Sequence, residues 1–486
     1  MSFLGLIFLA VAAPLLQVLH LDFNTIRLER REIERSLDVA AAAGYNAVLW
    51  EVEDKIRWET CPEVAHPEAF PKGEFREILA KAKRLGLKPI PLLQTFGHAE
   101  YVLEKDRYRS FREQASEENC YCVSKPEVRE FLRQWIREYL DLFGEDVADF
   151  HLGGDEAHGF GTCRVCARRG RMELYAEHLV SVSAELRKRG IRPGIWCDMI
   201  LAPADRKETG RVPRDFTVWH WDYGCPDGAN AAAWNWSDRI STLTDLGFDV
   251  IFAASAASWG DGPFMPSYSF HLKNIEAATQ RVREGRLRGL CLTSWSVRQG
   301  LKSLQHPIWT FAAQRMRDPS AEPILPFGLD RKTIEDLTAW DASLIPYDGR
   351  DWYKGGMKNA RIAPEDQIDR VVKRLRKRDP SFEKRHLAKV AELESRIGPA
   401  LRKVPSDSRL AEGARLSLVF LSRIRDVLER RQLSEAPIDE TAAYLRSEQT
   451  PSSAEHSARM LWSILSRSPN LNDRSSCMGS NANHGR

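Results

Sequence analysis

From Leu15 to about Val297, short apolar runs alternate with longer stretches in which apolar residues recur every three to four positions. That rhythm of strand, helix, strand builds parallel sheets. Eight runs read as strands: Leu15–Phe23, Asn46–Glu53, Lys88–Phe96, Val147–Gly154, Arg192–Ile200, Phe216–Tyr223, Asp249–Ala256 and Gly289–Trp295. Between them, "REIERSLDVAAAAGYN" sets Ile33, Leu37 and Ala40 on one helical face and stops at Gly44, where a helix end favours glycine. "FREILAKAKRLGLK" and "AEHLVSVSAELRKRGI" repeat the scheme. Eight strands with helical crossovers in under 300 residues predict an α/β fold, a (β/α)8 TIM barrel, which typically takes about 250 residues. A doubly wound sheet fits less well, because no glycine-rich phosphate loop follows the first strand.

After about Pro307 the strand rhythm stops. "IDRVVKRLRKRDP", "RHLAKVAELESRI" and "LSLVFLSRIRDVLERR" have helical periodicity, the last with Phe420, Ile424 and Val427 near one face. The expected organisation is an apolar segment over 1–13, a barrel over 14–310, a helical extension over 311–465 and a disordered, Gly/Ser/Asn-rich tail over 466–486. The extension would pack on the barrel or form a homodimer. The basic run Lys373–Arg378 lacks interleaved aromatics and reads as a solvated helix face rather than a nucleic-acid patch.

A barrel gathers its functional groups where the strands end, on the C-terminal face. The sequence places polar and aromatic residues there on every strand: Asp22; Glu51 and Glu53; Gln94 and His98; Asp155 and Glu156; Trp196 and Asp198; Trp221, Asp222 and Tyr223; Trp259; Trp295. Core packing alone does not ask for that pattern.

Charge narrows the partners. With 71 basic and 68 acidic residues the net charge is +3, which points to neither nucleic acid nor a membrane surface. Nine cysteines scattered over a long chain do not form a disulfide framework and favour a reducing, cytoplasmic setting. "MSFLGLIFLAVAAP" offers the alternative: a small-residue cleavage pattern, without a basic leading region, that would make the protein secreted or periplasmic if it is a signal peptide. The run is too short for a spanning helix before Gln17 and His20 interrupt it.

Carboxylates ringed by aromatics suit a sugar, whose C–H face stacks on rings while its hydroxyls take hydrogen bonds. Trp196, Trp221, Trp259 and Trp295 are candidate walls. Asp155 and Glu156 adjoin, so they are badly placed to flank a glycosidic bond across about 5 to 9.5 Å as paired carboxylates do. A better fit has Glu156 protonating the leaving oxygen while Asp155 orients a 2-acetamido group that attacks the anomeric carbon. A helix cap would need only one such residue.

These residues carry a resemblance. "HLGGDE" (His151–Glu156), "IPLLQTFGHAEYVL" (Ile90–Leu103), "WDY" (Trp221–Tyr223), "AASA" before "GP" (Ala253–Ala256, Gly262, Pro263) and "LTSW" (Leu292–Trp295) resemble glycoside hydrolase family 20, the β-N-acetylhexosaminidases, and within it the hexosaminidase D branch. The resemblance spans about residues 15 to 310. It implies retaining, substrate-assisted removal of a terminal β-linked N-acetylglucosamine or N-acetylgalactosamine without a cofactor, with Glu156 as acid and Asp155 as orienting carboxylate. Asp22, Gln94, His98, Trp196, Trp221, Tyr223 and Trp295 would line the pocket. The family's sugar-gripping Arg has Arg27 as its candidate, and the Tyr that meets the acetamido oxygen has Tyr223 and Tyr268.

Other readings stay open on the sequence. A catalytically silent carbohydrate-binding barrel is one. A glycosidase that draws a second carboxylate from Glu53, Asp198 or Asp222 is another. His151 points into the barrel and reads equally as structural or functional, and His158 reads as a surface residue. Finally, the C-x-C of Cys120 and Cys122 and the C-x-x-C of Cys163 and Cys166 follow the third and fourth strands, so four thiolates could converge on a structural zinc.

Overall fold

In a computed structural model, the described residues are 15–157, 159–202, 206–224, 240–296, 300–341, 343–344, 377, 379–429, 431 and 436–463. Eight parallel strands close on themselves in sequence order, β1 (Leu16–Asp22), β2 (Ala47–Glu51), β3 (Lys88–Leu92), β4 (Asp149–His151), β5 (Arg192–Trp196), β6 (Thr217–Trp221), β7 (Asp249–Ala257) and β8 (Gly289–Ser294). Val18 pairs with Ala47 on one side of β1, and Val18 with Cys291 on the other, which closes the barrel. The helices that follow the strands are α1 (Arg30–Ala43), α2 (Lys72–Arg84), α3 (Pro126–Phe143), α4 (Arg171–Val182), the single turn α5 (Asp198–Leu201), α6 (Ile240–Asp245), α7 (Tyr268–Glu284) and α8 (His306–Arg317). The chain is a (β/α)8 barrel.

The period-two alternation of a strand sorts each run between two cores. Leu19, Leu21, Val48 and Trp50 face the helices, whereas Val18, Ala47, Leu49, Ile90, Leu92, Trp219, Ile251 and Cys291 fill the barrel interior. Further up, the same inward positions turn polar: His20, Glu51 and Gln94. The apolar plug therefore ends below a polar mouth. One expected helix divides: Ser183 returns its hydroxyl to Leu179 O at 2.6 Å and α4 stops before a short turn, Ala184–Lys188. A serine that bonds the preceding turn loosens a helix at that point.

Among the described residues, five helices follow the barrel: α9 (Arg331–Leu337), α10 (Phe382–Leu401), α11 (Arg409–Leu428), α12 (Ile438–Leu445) and α13 (Pro451–Ser463). α11, α12 and α13 meet loops that follow β1 and β7. Leu28 bridges Gln449, Thr450 N donates to Arg27 O at 2.8 Å, and Tyr444 Oη donates to Phe264 O at 2.9 Å. Phe264 meets Phe420 and Trp462 ring to ring. The apolar stripe of α11 is thus covered from within the same chain. No helix among the described residues is long and apolar enough to cross a membrane. The apolar N-terminal segment, His158, most of the run Lys373–Arg378 and the polar tail lie outside the described residues.

Candidate active site

β4 is only three residues long because its chain turns sharply at Gly153 (φ +65°), a left-handed conformation that suits glycine. A side chain there would also strike Gln94 Oε1, 2.0 Å from its Cβ. The turn lifts Asp155 and Glu156 onto the mouth. The β3 loop closes on them from the side: a Cβ at Gly97 would stand 2.1 Å from Asp155 O, so only glycine allows this approach. That contact delivers His98, whose Nε2 lies 3.4 Å from Asp155 Oδ2 and 3.4 Å from Glu156 Oε2. His98 (φ +51°) and Glu156 (φ +44°) are both left-handed without being glycine. Strain of this kind costs of order 1–3 kcal/mol per residue and gathers at functional sites.

The electrostatics centre on Asp155, His98 and Asp198. Burial would push Asp155 up, but the charge and hydrogen bond of His98 outweigh it and hold Asp155 below its ordinary value. His98 is likewise held well above its ordinary value: burial opposes its charge, and Asp155 and Glu156 overcome that. The two form an ion pair. Asp155 Oδ1 is buried and has no hydrogen-bond partner among the described residues, an acceptor that buried polar groups rarely leave unused. Asp198, at the end of β5, accepts the Glu156 backbone N–H at 2.8 Å. Burial first, and then the charge of Asp155, push Asp198 well above the usual carboxylate range.

The aromatic wall is narrower than four tryptophans. Trp295 Nε1 donates to Tyr223 Oη at 2.7 Å, and Tyr223 stacks on Trp221 with ring centroids 5.7 Å apart. Burial pushes the Tyr223 phenol up, with the Asp155 charge among the further causes. These three rings form one group near the carboxylates. Trp196 is instead fully buried in the barrel interior, between His151 (4.3 Å) and Trp295 (5.8 Å), where it is a floor rather than a wall. Trp259 stands 45% exposed.

Several candidates are engaged elsewhere. Asp22 accepts the backbone N–H groups of Asn24 and Ser296, both at 2.7 Å, tying the β1 end to the β8 end. Gln94 donates to Glu51 at 3.0 Å, and His20 meets the other Glu51 oxygen at 3.0 Å, a buried network under the mouth. His151 accepts the Gly153 N–H, and burial pushes it down to about 3. Arg27 is committed to Glu68 O and Leu28 O and lies over Phe70. Tyr268 donates to Leu304 O at 2.8 Å, whereas Tyr223 Oη accepts from Trp295 Nε1. Of the possible second carboxylates, Glu53 and Asp198 are buried and Asp222 is 3.6 Å from Arg281.

Among the cysteines, Cys122, Cys163 and Cys166 converge, but Cys120 does not: its thiol turns to Tyr121 O at 3.3 Å, and Glu113 takes the fourth place. Sequence spacing pointed to the C-x-C pair and had no signal for Glu113. Alternation in an irregular loop is not that of a strand, so Cys120 and Cys122 need not face together.

Comparison with known proteins gives the family. Residues 19–261 match the model of glycosyl hydrolase family 20, catalytic domain. Hexosaminidase D of Bos taurus is 28% identical over 296 residues, covering 58% of this chain and 84% of the bovine protein. Hexosaminidase D of Homo sapiens is 26% identical over 298 residues, covering 58% of this chain and 60% of the human one. Among solved structures, the β-N-acetylhexosaminidase of Bacteroides fragilis is 18% identical, with a TM-score of 0.49, covering 62% of this chain and 65% of that one. With its carboxylate pair, aromatic group and barrel in place, the chain belongs to glycosyl hydrolase family 20 and is a glycoside hydrolase.

Proposed function

We propose that the protein is a retaining, substrate-assisted exo-β-N-acetylhexosaminidase that removes terminal β-linked N-acetylglucosamine or N-acetylgalactosamine from glycoconjugates. The observation that carries this reading is the division of the Asp155 carboxylate: Oδ2 is held by His98, while Oδ1 has no described partner. Oδ1 would accept the acetamido N–H. The acetamido carbonyl oxygen then attacks C1, the C1–O bond to the aglycone breaks, and Glu156 gives its proton to the departing oxygen. The resulting oxazolinium is opened when water, losing a proton to Glu156, attacks C1. Two inversions at C1 leave the configuration retained. Trp221, Tyr223 and Trp295 would enclose the acetamido group, and no cofactor is required, since substrate and chain supply acid, base and nucleophile. We place the enzyme in the cytoplasm, where its many thiols would stay reduced.

Hydrolysis of paired chromogenic β-glycosides, with and without the 2-acetamido group, tests this. Turnover confined to the acetamido sugars, and lost in Glu156→Gln, is expected. Equal turnover of both would refute the substrate's own nucleophile, and binding of N-acetylhexosamine without turnover would favour a silent binding barrel.

A further inference from the structure

Beside the carboxylates, outside the chemistry just described, four side chains meet: Glu113 and Cys122 from the long loop after β3, and Cys163 and Cys166 from the loop after β4. Their ligating atoms all lie within 4.8 Å of one another, and three of the four residues are buried. Cys122 Sγ is 3.7 Å from Cys163 Sγ and 3.8 Å from Cys166 Sγ. Those separations far exceed a disulfide's S–S length of about 2.05 Å. They match the edge of a tetrahedron with bonds of about 2.3 Å to its centre, roughly 3.8 Å. Cys166 Sγ and Glu113 Oε2 are 3.5 Å apart, the shorter edge that a carboxylate bond of about 2.0–2.2 Å produces.

We propose that this is a structural zinc site with the ligand set Cys122, Cys163, Cys166 and Glu113. The surrounding bonds suit those roles. Glu113 Oε1 accepts the Cys163 N–H at 3.0 Å, which leaves Oε2 for the ion. Cys166 N–H points back to Cys163 Sγ at 3.4 Å, so the C-x-x-C turn already aims both sulfurs inward. Ser124 Oγ reaches Cys166 Sγ at 3.0 Å. Three thiolates select a soft or borderline cation, and four protein ligands leave no open position, the mark of a structural rather than catalytic zinc. Binding would release the thiol protons.

The site has a place in the architecture. It joins the loop that carries His98 to the loop that carries Asp155 and Glu156, and both loops are long and largely irregular. An ion there would fix the distance between the histidine and its carboxylates through the backbone, acting as a positioning element.

The test is elemental analysis of the untagged full-length protein, purified without added metal, together with cobalt exchange. About one zinc per chain is expected in the wild type and in Cys120→Ser, with loss in Cys122→Ser and Cys166→Ser. Cobalt(II) should give the visible bands of a tetrahedral thiolate site. If the ligand variants do not fold, the wild-type stoichiometry and cobalt spectrum decide alone. Near-zero metal in the wild type, both as purified and after incubation with zinc and desalting, overturns the proposal. So does full zinc retention in folded Cys122→Ser, or loss in folded Cys120→Ser.

Discussion

His98 Nε2 stands 3.4 Å from Asp155 Oδ2 and 3.4 Å from Glu156 Oε2, so one imidazolium faces two adjacent carboxyl groups. The cation between them offsets the crowding of two neighbouring acids at a partly closed mouth.

That pair predicts a pH window. Asp155 is held below its ordinary 3.8, so its contribution to stability is complete above about pH 4 and lost as acid protonates the folded form. His98 is held well above its ordinary 6.5, so its contribution is complete below about pH 6.5 and fades as pH rises through the raised value. In urea unfolding, the stability difference between wild type and His98→Asn should be greatest between about pH 4 and 6.5. A difference that grows steadily above neutral pH would contradict a charged His98.

The two carboxylates should fail differently. Under the proposed mechanism Glu156→Gln loses proton donation, an effect of about 10²- to 10⁴-fold for poor leaving groups that shrinks as the aglycone becomes more acidic. Asp155→Asn should lose activity with no such relief, because its task is to orient the acetamido group. A series of aryl glycosides of graded acidity, compared by kcat/KM, separates the roles. Matching slopes for both variants would refute the assignment.

Asp198 should tolerate loss of charge but not loss of its oxygen. It is pushed well above the usual carboxylate range and serves as acceptor for the Glu156 N–H. Asp198→Asn keeps an acceptor and should stay within a few-fold of wild type, whereas Asp198→Ala strands a backbone donor at a cost of about 1–3 kcal/mol. Thermal unfolding and kcat on both variants provide the check. Equal loss in both would mean that the charge itself matters.

Much of this architecture is legible in the chain. The eight strands appear as runs because one strand face meets helices and the other an interior plug, and both are apolar at the strand bases. The carboxylate pair announces itself by adjacency after two glycines. What escapes reading is direction within loops. Glu113 lies 50 residues from Cys163 and shares no motif with it, and Arg27 sits near enough to β1 to suggest a pocket role but points to Glu68 and Leu28. Trp196 shows the same limit inside a strand: alternation gives inward, not whether inward means floor or wall.

Glu448 links the extension to the mouth, and the link has its own pH signature. Its carboxylate accepts the backbone N–H groups of Lys302 and Ser303. Lys302 Nζ in turn donates to Ser294 O at 2.6 Å and Ser294 Oγ at 2.8 Å, beneath Trp295 in sequence and next to the Ser296 that caps Asp22. Burial pushes Lys302 from its ordinary 10.5 down to about 8, against the pull of Asp22 and Glu448. Below pH 8 folded and unfolded chains both carry the proton, and the folded state bears the burial cost. Between pH 8 and 10.5 the folded lysine is neutral while the unfolded one stays charged, so the unfolded state binds more protons and stability rises with pH. Relative to Lys302→Met, the wild type should therefore gain up to about 3 kcal/mol across that interval. Urea unfolding of both proteins from pH 7 to 10.5 measures it, and a flat difference would show that the Lys302 ammonium is solvated rather than enclosed between barrel and extension.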